Sequence, residues 1–254
     1  MIIAQISDTH IAVDLPDADV RRQDLERTIA DINELDPLPD AIIHTGDITQ
    51  HGRLEEYRLV EAALAKARTP FYLVPGNRDD RINLRGAFSS FGFFPPQSSF
   101  LQYAVEDHPM RIFVLDTIAA DSNKGDYCDV RVRHLIAMAD ADRTKPIAVF
   151  THHPPFEVPV GPERLHYKDH AAMARLREAL QHSQRVVGVF SGHVHRSADG
   201  HVGNIRASVV QCIATPLRKG DYPIQMKTRP VYHVHRFDPE WGFASETRIV
   251  DNAE

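Results

Sequence analysis

The stretch IIAQISDTH, residues 2–10, decides the architecture, because an apolar run built on Ile2, Ile3, Ala4 and Ile6 breaks off at Ser7 into Asp8 and His10. So short and so nearly continuous an apolar run reads as a strand buried on both faces, with the polar residues at its carboxyl end. The figure recurs four times. Runs at 41–44, 71–74, 147–150 and 186–190 break into Thr45-Gly46-Asp47, Pro75-Gly76-Asn77-Arg78-Asp79, Thr151-His152-His153-Pro154 and Ser191-Gly192-His193-Val194-His195. Helical stripes separate most of them: Leu25, Ile29, Ile32 and Leu35; then Tyr57, Val60, Leu64 and Ala67; and, before the fifth run, Met173, Leu176 and Leu180. Strand alternating with helix implies right-handed crossovers and an α/β sheet.

The second half of the chain changes character. Alternating runs at 100–105, 111–116, 205–213, 231–237 and 243–249 predict mostly antiparallel strands and a second sheet. The expected fold is α/β, a four-layer α/β/β/α sandwich of two mixed sheets flanked by helices. No Ser/Gly-rich linker divides residues 1–254, which read as a single domain with a strand-rich portion from about residue 200.

Composition narrows the functional classes. A formal net charge of −6 supplies no basic field to hold a long nucleic acid. No apolar run approaches the ~20 residues of a membrane span, and Met1 leads straight into a strand rather than into the regions of a signal peptide, so a cytoplasmic location is expected. Cys128 and Cys212 lack close metal-ligand spacing and read as reduced thiols. The expected partner is a small-molecule substrate; a homo-oligomer is compatible with the sequence.

The chemistry lies in the five strand ends. In open α/β sheets the carboxyl ends of the strands form the crevice where ligands bind, so Asp8, His10, Asp47, Asn77, His152, His193 and His195 should converge although they span nearly the first 200 residues. Carboxylate, imidazole and amide oxygen without thiolate suit Mn, Fe, Zn or Co better than a structural zinc site. Alternate residues of extended chain would point Asp8 and His10, or His193 and His195, the same way. Glycines before Asp47, Asn77 and His193 would allow sharp inward turns.

The ordered series Asp-x-His, Gly-Asp, Gly-Asn-x-Asp, His-His-Pro-Pro and Gly-His-x-His, spread over roughly residues 2–196, resembles the calcineurin-like metallophosphoesterase superfamily. Within it, class III cyclic-nucleotide phosphodiesterases and bacterial glycerophosphodiesterases are most similar. The resemblance implies two divalent or mixed-valence transition metal ions. Asp8, His10, Asp47 and His195 would hold one; Asp47, Asn77, His152 and His193 would hold the other; Asp47 would bridge. It implies hydrolysis of small phosphodiesters, cyclic nucleotides or glycerophosphodiesters, by attack of a metal-bridging hydroxide, with Asp47 and Asn77 as catalytic residues, to which this chain's own sequence adds Arg78 as an expected third. One position departs from the family pattern: Arg78 stands where a His usually follows the Asn. A guanidinium stays protonated and cannot act as a general acid near neutral pH, but it can grip phosphoryl oxygens in bidentate fashion.

Taken singly, these residues have plainer readings. Asp8 and Asp47 suit helix or turn caps, His10 and His152 suit hydrogen-bonded rim positions, and Asn77 after Gly76 suits a turn. Joint occurrence in the family order favours ligands. His153 reads as support for the site or as simple burial, and His233-x-His235 as one polar face of a strand. His44, His51, His166, His170 and His201 remain unassigned. Loops 89–97 and 157–168 are candidates for a substrate cap. A phosphomonoesterase of the same fold is the second reading; a non-catalytic interaction scaffold is the third.

Overall fold

The computed structural model describes residues 1–251. Two mixed sheets pack face to face with helices outside them. The first has the order β11-β10-β1-β2-β3. In it β1 (Ile2–Ile6), β2 (Ala41–His44) and β3 (Phe71–Leu73) run parallel, joined by the crossover helices α1 (Ala18–Asn33) and α2 (Leu54–Leu64). The second sheet has the order β4-β5-β6-β7-β9-β8. After α3 (Arg81–Ala87), its strands are β4 (Tyr103–Val105), β5 (Arg111–Leu115), β6 (Ile147–Thr151), β7 (Val186–Ser191), β8 (Ala198–Val202) and β9 (Ile205–Val209), with α4 (Asp129–Ala141) and α5 (His170–Gln181) between them. The chain then forms α6 (Ile224–Thr228), and β10 (Val231–Asp238) returns to β1 with β11 (Gly242–Ile249) outside it.

The five strands that end in candidate ligands are therefore split three and two between the sheets, and the rim is shared. Two sequence expectations need correction. Of the second-half runs expected to be mostly antiparallel, β4, β10 and β11 are so, but β10 and β11 join the first sheet, and β5 and β9 run parallel to β6 and β7. The alternation at Arg111–Leu115 is misleading because Arg111 is buried with its charge met by Glu106 at 2.6 and 2.7 Å, so a charged residue occupies an interior position. Loop 89–97 is not a cap. Phe91, Phe93 and Phe94 pack on Phe71 and Tyr103 at the amino end of β3, the far end of the sheet from the rim.

Two cores follow from the layers. Ile3, Ile42, Ile112, Val114 and Phe150 belong to one, and Leu135, Val149, Leu176, Leu180 and Val209 to the other, under α4 and α5. Cys128 and Cys212 are unpaired thiols. No helix among the described residues is long and apolar enough to cross a membrane.

His233 and His235 lie on one face of β10, as their spacing suggested, but that face is buried. His235 bonds Ser245 Oγ at 2.6 Å and Gln5 Oε1 at 2.9 Å, whereas neither ring nitrogen of His233 has a protein partner. Burial pushes His233 down to about 4. A histidine whose folded value is depressed stabilises fully above its unfolded value and loses that contribution as pH falls towards the folded one. Stability should therefore drop between about pH 6.5 and 4, by up to about 1.4 kcal/mol per pH unit from His233. Urea unfolding at pH 7 and pH 5 should show a shallower loss in His233→Phe than in wild type; equal losses would exclude His233 as a source.

Candidate metal centre

At the carboxyl ends of β1, β2 and β7 the backbone takes a conformation that side chains rarely adopt. Asp8, His10, Asp47, His193 and His195 have φ of 54°, 46°, 48°, 72° and 59°, and they are the only non-glycine residues with positive φ among the described residues. The sequence suggested extended Asp-x-His and His-x-His pairs; the structure instead turns each member through a left-handed step, a conformation that concentrates at functional sites. Neighbouring loops lock these turns, with Asp8 N bonding Gly46 O at 3.0 Å, His10 N bonding Asp47 O at 2.9 Å and Gly192 N bonding His152 O at 3.1 Å.

Crowding explains the glycines. A Cβ on Gly76 would lie 2.0 Å from Asp47 N, and one on Gly192 would lie 1.9 Å from Ser7 Oγ and 2.7 Å from Asp8 Oδ2. Gly46, at φ +94°, would meet His152 Nδ1 at 2.6 Å. The loops touch backbone to backbone, and that closeness brings the donors together.

All seven candidate ligands meet in one place, in two sets. Asp8, His10, Asp47 and His195 form the first. His10 Nε2 is 3.0 Å from His195 Nε2 and 3.5 Å from Asp47 Oδ2, and His195 Nε2 is 3.4 Å from Asp8 Oδ1. In the second, His152 Nε2 is 3.1 Å from Asn77 Oδ1, 3.4 Å from Asp47 Oδ1 and 3.3 Å from His193 Nδ1. Asp47 therefore turns one oxygen to each set. Ligands about 2.1 Å from a shared cation, at roughly right angles, stand about 3 Å apart, and these separations have that scale.

Hydrogen bonds fix which nitrogen faces inward. The Nδ1–H groups of His10, His152 and His195 donate to Gln50 Oε1, Thr45 O and Leu217 O at 3.1, 2.8 and 3.0 Å. Each leaves Nε2 directed at the centre, an arrangement common around metal-ligating histidines. The facing Nε2 atoms of His10 and His195 would oppose lone pair to lone pair unless a cation or a proton lay between them. Asp8 Oδ1 is buried without any hydrogen bond, while Oδ2 accepts from Ser7 Oγ at 2.5 Å and His193 N at 3.0 Å. Both observations fit a metal pair.

The electrostatics agree. Burial raises the Asp47 carboxyl, but His152, His10 and His193 outweigh it and hold the group well below the usual carboxylate range. Burial works against a proton on His152, yet Asp47 prevails and lifts that ring to about 9. Burial pushes His10 down to about 4 and holds His193 well below the ordinary histidine value.

His153 lies 4.5 Å from His193 ring to ring, but both its nitrogens are engaged, Nδ1 with Thr117 Oγ1 at 2.8 Å and Nε2 with Asn123 O at 3.1 Å. It is a support with no lone pair to spare. Arg78 is exposed, and its guanidinium has no protein partner among the described residues. From loop 157–168, His166 is buried against His193 at 5.0 Å with neither ring nitrogen bonded.

Sequence reasoning passed over His44, Gln50 and the role of Asp79. His44 Nδ1 accepts from Gly46 N at 3.2 Å, so Nε2 donates to Thr9 Oγ1 at 2.8 Å, and burial pushes the ring down to about 3. Asp79 accepts from Ile48 N, Thr49 N, Gly76 N and Tyr57 Oη at 2.9–3.2 Å, tying the Asp47 turn to the Asn77 turn. Only the Gly-Asn-x-Asp spacing marked it in advance.

With these features in view, the comparisons with known proteins are specific. Residues 1–197 match the family model described as calcineurin-like phosphoesterase, and the chain belongs to that family, which implies a dinuclear metal centre. It is 31% identical to the "Probable glycerophosphodiester phosphodiesterase GpdQ" of Arcobacter nitrofigilis, covering 100% of this chain and 95% of the relative. It is 28% identical to the "cAMP/cGMP dual specificity phosphodiesterase" of Mycobacterium tuberculosis, over 82% of this chain and 66% of that protein. Among solved structures, a dimetal phosphatase from Danio rerio shares the fold, with a TM-score of 0.73, 13% identity and 99% of each chain covered.

Two outcomes follow from the crowding and the charges. Gly192→Ala should force Ser7 and Asp8 apart, lowering metal affinity at least tenfold on the scale of disturbed ligand supports while the far-ultraviolet circular dichroism is kept; unchanged metal content would refute the role of that contact. Because His152 holds a proton up to about pH 9, metal uptake at pH 7 should release it, and affinity should climb with pH by up to about tenfold per unit. Calorimetry in two buffers of different ionisation enthalpy reads the proton directly.

Proposed function

We propose that this chain is a metal-dependent phosphodiesterase acting on small phosphodiesters, with glycerophosphodiesters and cyclic nucleotides as the leading substrate classes. The observation that carries the proposal is Asp47, whose two oxygens face separate donor sets at 3.5 and 3.4 Å. Asp8, His10 and His195 would complete one cation site, and Asn77, His152 and His193 the other. Carboxylate, imidazole and amide donors suit Mn, Fe, Zn or Co. A bound pair of such ions supplies an activated water at neutral pH and neutralises charge on the phosphoryl oxygens.

The chain's own residues shape what can bind. Asn77 opens onto a groove of about 540 Å³ lined by Asp80, Arg81, Arg85, Ser99 and Ile118, which suits a small ester rather than a polymer. Arg81 is pinned to Asp116 by two hydrogen bonds of 2.7 Å, so it forms a fixed wall. Arg78, exposed beside Asn77 and without a partner among the described residues, is placed to grip a phosphoryl oxygen. It holds its proton too tightly to pass it to the departing alcohol. The net charge of −6 argues against long nucleic acids as substrates. The names of the relatives support a diester over a monoester.

Metal-reconstituted protein should hydrolyse glycerol-linked, cyclic and aryl phosphodiesters faster than matched monoesters, and Asp47→Asn should lose at least about a thousandfold. Preference for monoesters would replace the diester reading with a phosphatase one. Arg78→Ala should lose about 10–1,000-fold, the scale of a lost charge-stabilising donor, while rates for both proteins stay steeply dependent on leaving-group pKa. A flat dependence would reveal a proton donor elsewhere.

A further inference from the structure

A second group of metal-type donors stands outside the rim. Asp14 Oδ1 lies 3.4 Å from His51 Nε2, and Asp14, His51 and Glu56 each offer a ligand atom within 4.8 Å of the others. Asp14 comes from the segment after β1, His51 from the turn after β2 and Glu56 from the first turn of α2. Two pieces of backbone deliver the donors, Asp14 from one and His51 and Glu56 from the turn that runs into α2.

The decisive residue is Glu56. Its side chain is fully buried. Oε2 accepts the N–H groups of His51 and Arg53 at 3.0 and 3.1 Å, whereas Oε1 is sealed from solvent and receives no hydrogen bond. A carboxylate oxygen taken out of water needs a donor or a cation. Nearby, the Arg53 guanidinium pairs with Asp14 and Glu55 at 2.8 and 3.9 Å and leaves Glu56 Oε1 without a partner among the described residues. Arg53 bonds Asp14 through Oδ2 at 2.8 Å, which leaves Oδ1 on the imidazole side. One imidazole nitrogen and two carboxylate oxygens form a donor set for a divalent transition ion, with water filling the open positions.

We propose that Asp14, His51 and Glu56 form a third divalent-cation site, distinct from the rim, that clips the segment after β1 to the start of α2. Gln50, the residue before His51, accepts the His10 Nδ1–H at 3.1 Å and the Arg21 guanidinium at 3.0 Å. A clip at His51 therefore steadies the partner of a rim imidazole without touching the rim. The Asp14 and His51 side chains are 46% and 34% exposed, so the site exchanges with solvent and binds more weakly than the buried centre. The proposal is independent of the substrate reading.

Equilibrium dialysis of the metal-free full chain against Zn²⁺ alone, followed by elemental analysis, counts the sites. Wild type should take up one equivalent more than His51→Gln or Asp14→Asn, both changes at accessible side chains. Asp47→Asn should lose rim equivalents and keep the additional one, and Zn²⁺ should still raise its melting temperature, an effect abolished in Asp47→Asn/His51→Gln. Equal uptake by wild type, His51→Gln and Asp14→Asn would overturn the proposal, as would retention of the melting shift in the double variant. Failure of the rim reading is a separate result: wild type would then bind the clip ion and no pair.

Discussion

The constraint on which the structure depends is steric: five donor residues must occupy left-handed backbone so that loops from two sheets can nest against one another. Each such residue costs on the order of 1–3 kcal/mol unless its surroundings over-determine it. Here the surroundings do so through the cross-loop hydrogen bonds of Asp8, His10 and Gly192 and through glycines that leave no room for a Cβ. The strain makes sense only as part of a site, since an ordinary strand end would relax by turning outward. Asp79, bonded to both the Asp47 and Asn77 turns, fastens two of the nested loops from behind.

The histidines sort by what their second nitrogen meets. His10, His152 and His195 each spend one N–H on an amide or backbone carbonyl and keep the other nitrogen for the centre. His153 spends both on protein oxygens. His44 shows the reverse polarity, accepting from the backbone through Nδ1. The same side chain thus stands as candidate ligand, brace or acceptor according to the carbonyl or N–H that the fold places beside it, and sequence spacing alone cannot distinguish these cases.

Much of the fold was legible because strand ends and helix stripes are short-range signals. Strands β1, β2, β3, β6 and β7 lie within a residue of their apolar runs, α5 contains its stripe, and α1 and α2 hold theirs as far as Ile32 and Leu64, ending before Leu35 and Ala67. The helix α4 escaped because its buried positions are Arg131, Leu135, Met138 and Ala139, and a stripe that opens on an arginine does not look apolar. Arg131 is tolerated inside because Asp126 and the carbonyls of Asp116 and Ile118 receive its guanidinium. The hairpin strand β8 escaped because its burial pattern leaves only Ala198 and Val202 inside. The direction of β5 and β9 depends on pairing partners remote in sequence, which local periodicity does not encode. The site was legible as a set of residues, but its left-handed geometry was not, because that arises from loops meeting across the rim.

The position of β10 also bears on how the molecule is made. β1 leaves the ribosome long before its antiparallel neighbour, which runs from Val231 to Asp238, with Gln5 opposite His233 and Ile2 opposite Arg236. Until that late segment emerges, one edge of β1 presents unpaired amides and carbonyls to whatever is nearby, a condition that favours mispairing or chaperone capture. Asp8 and His10 sit at the tip of that strand. Vectorial synthesis therefore leaves the strand that carries these two candidate donors unframed on that edge until β10 has been translated.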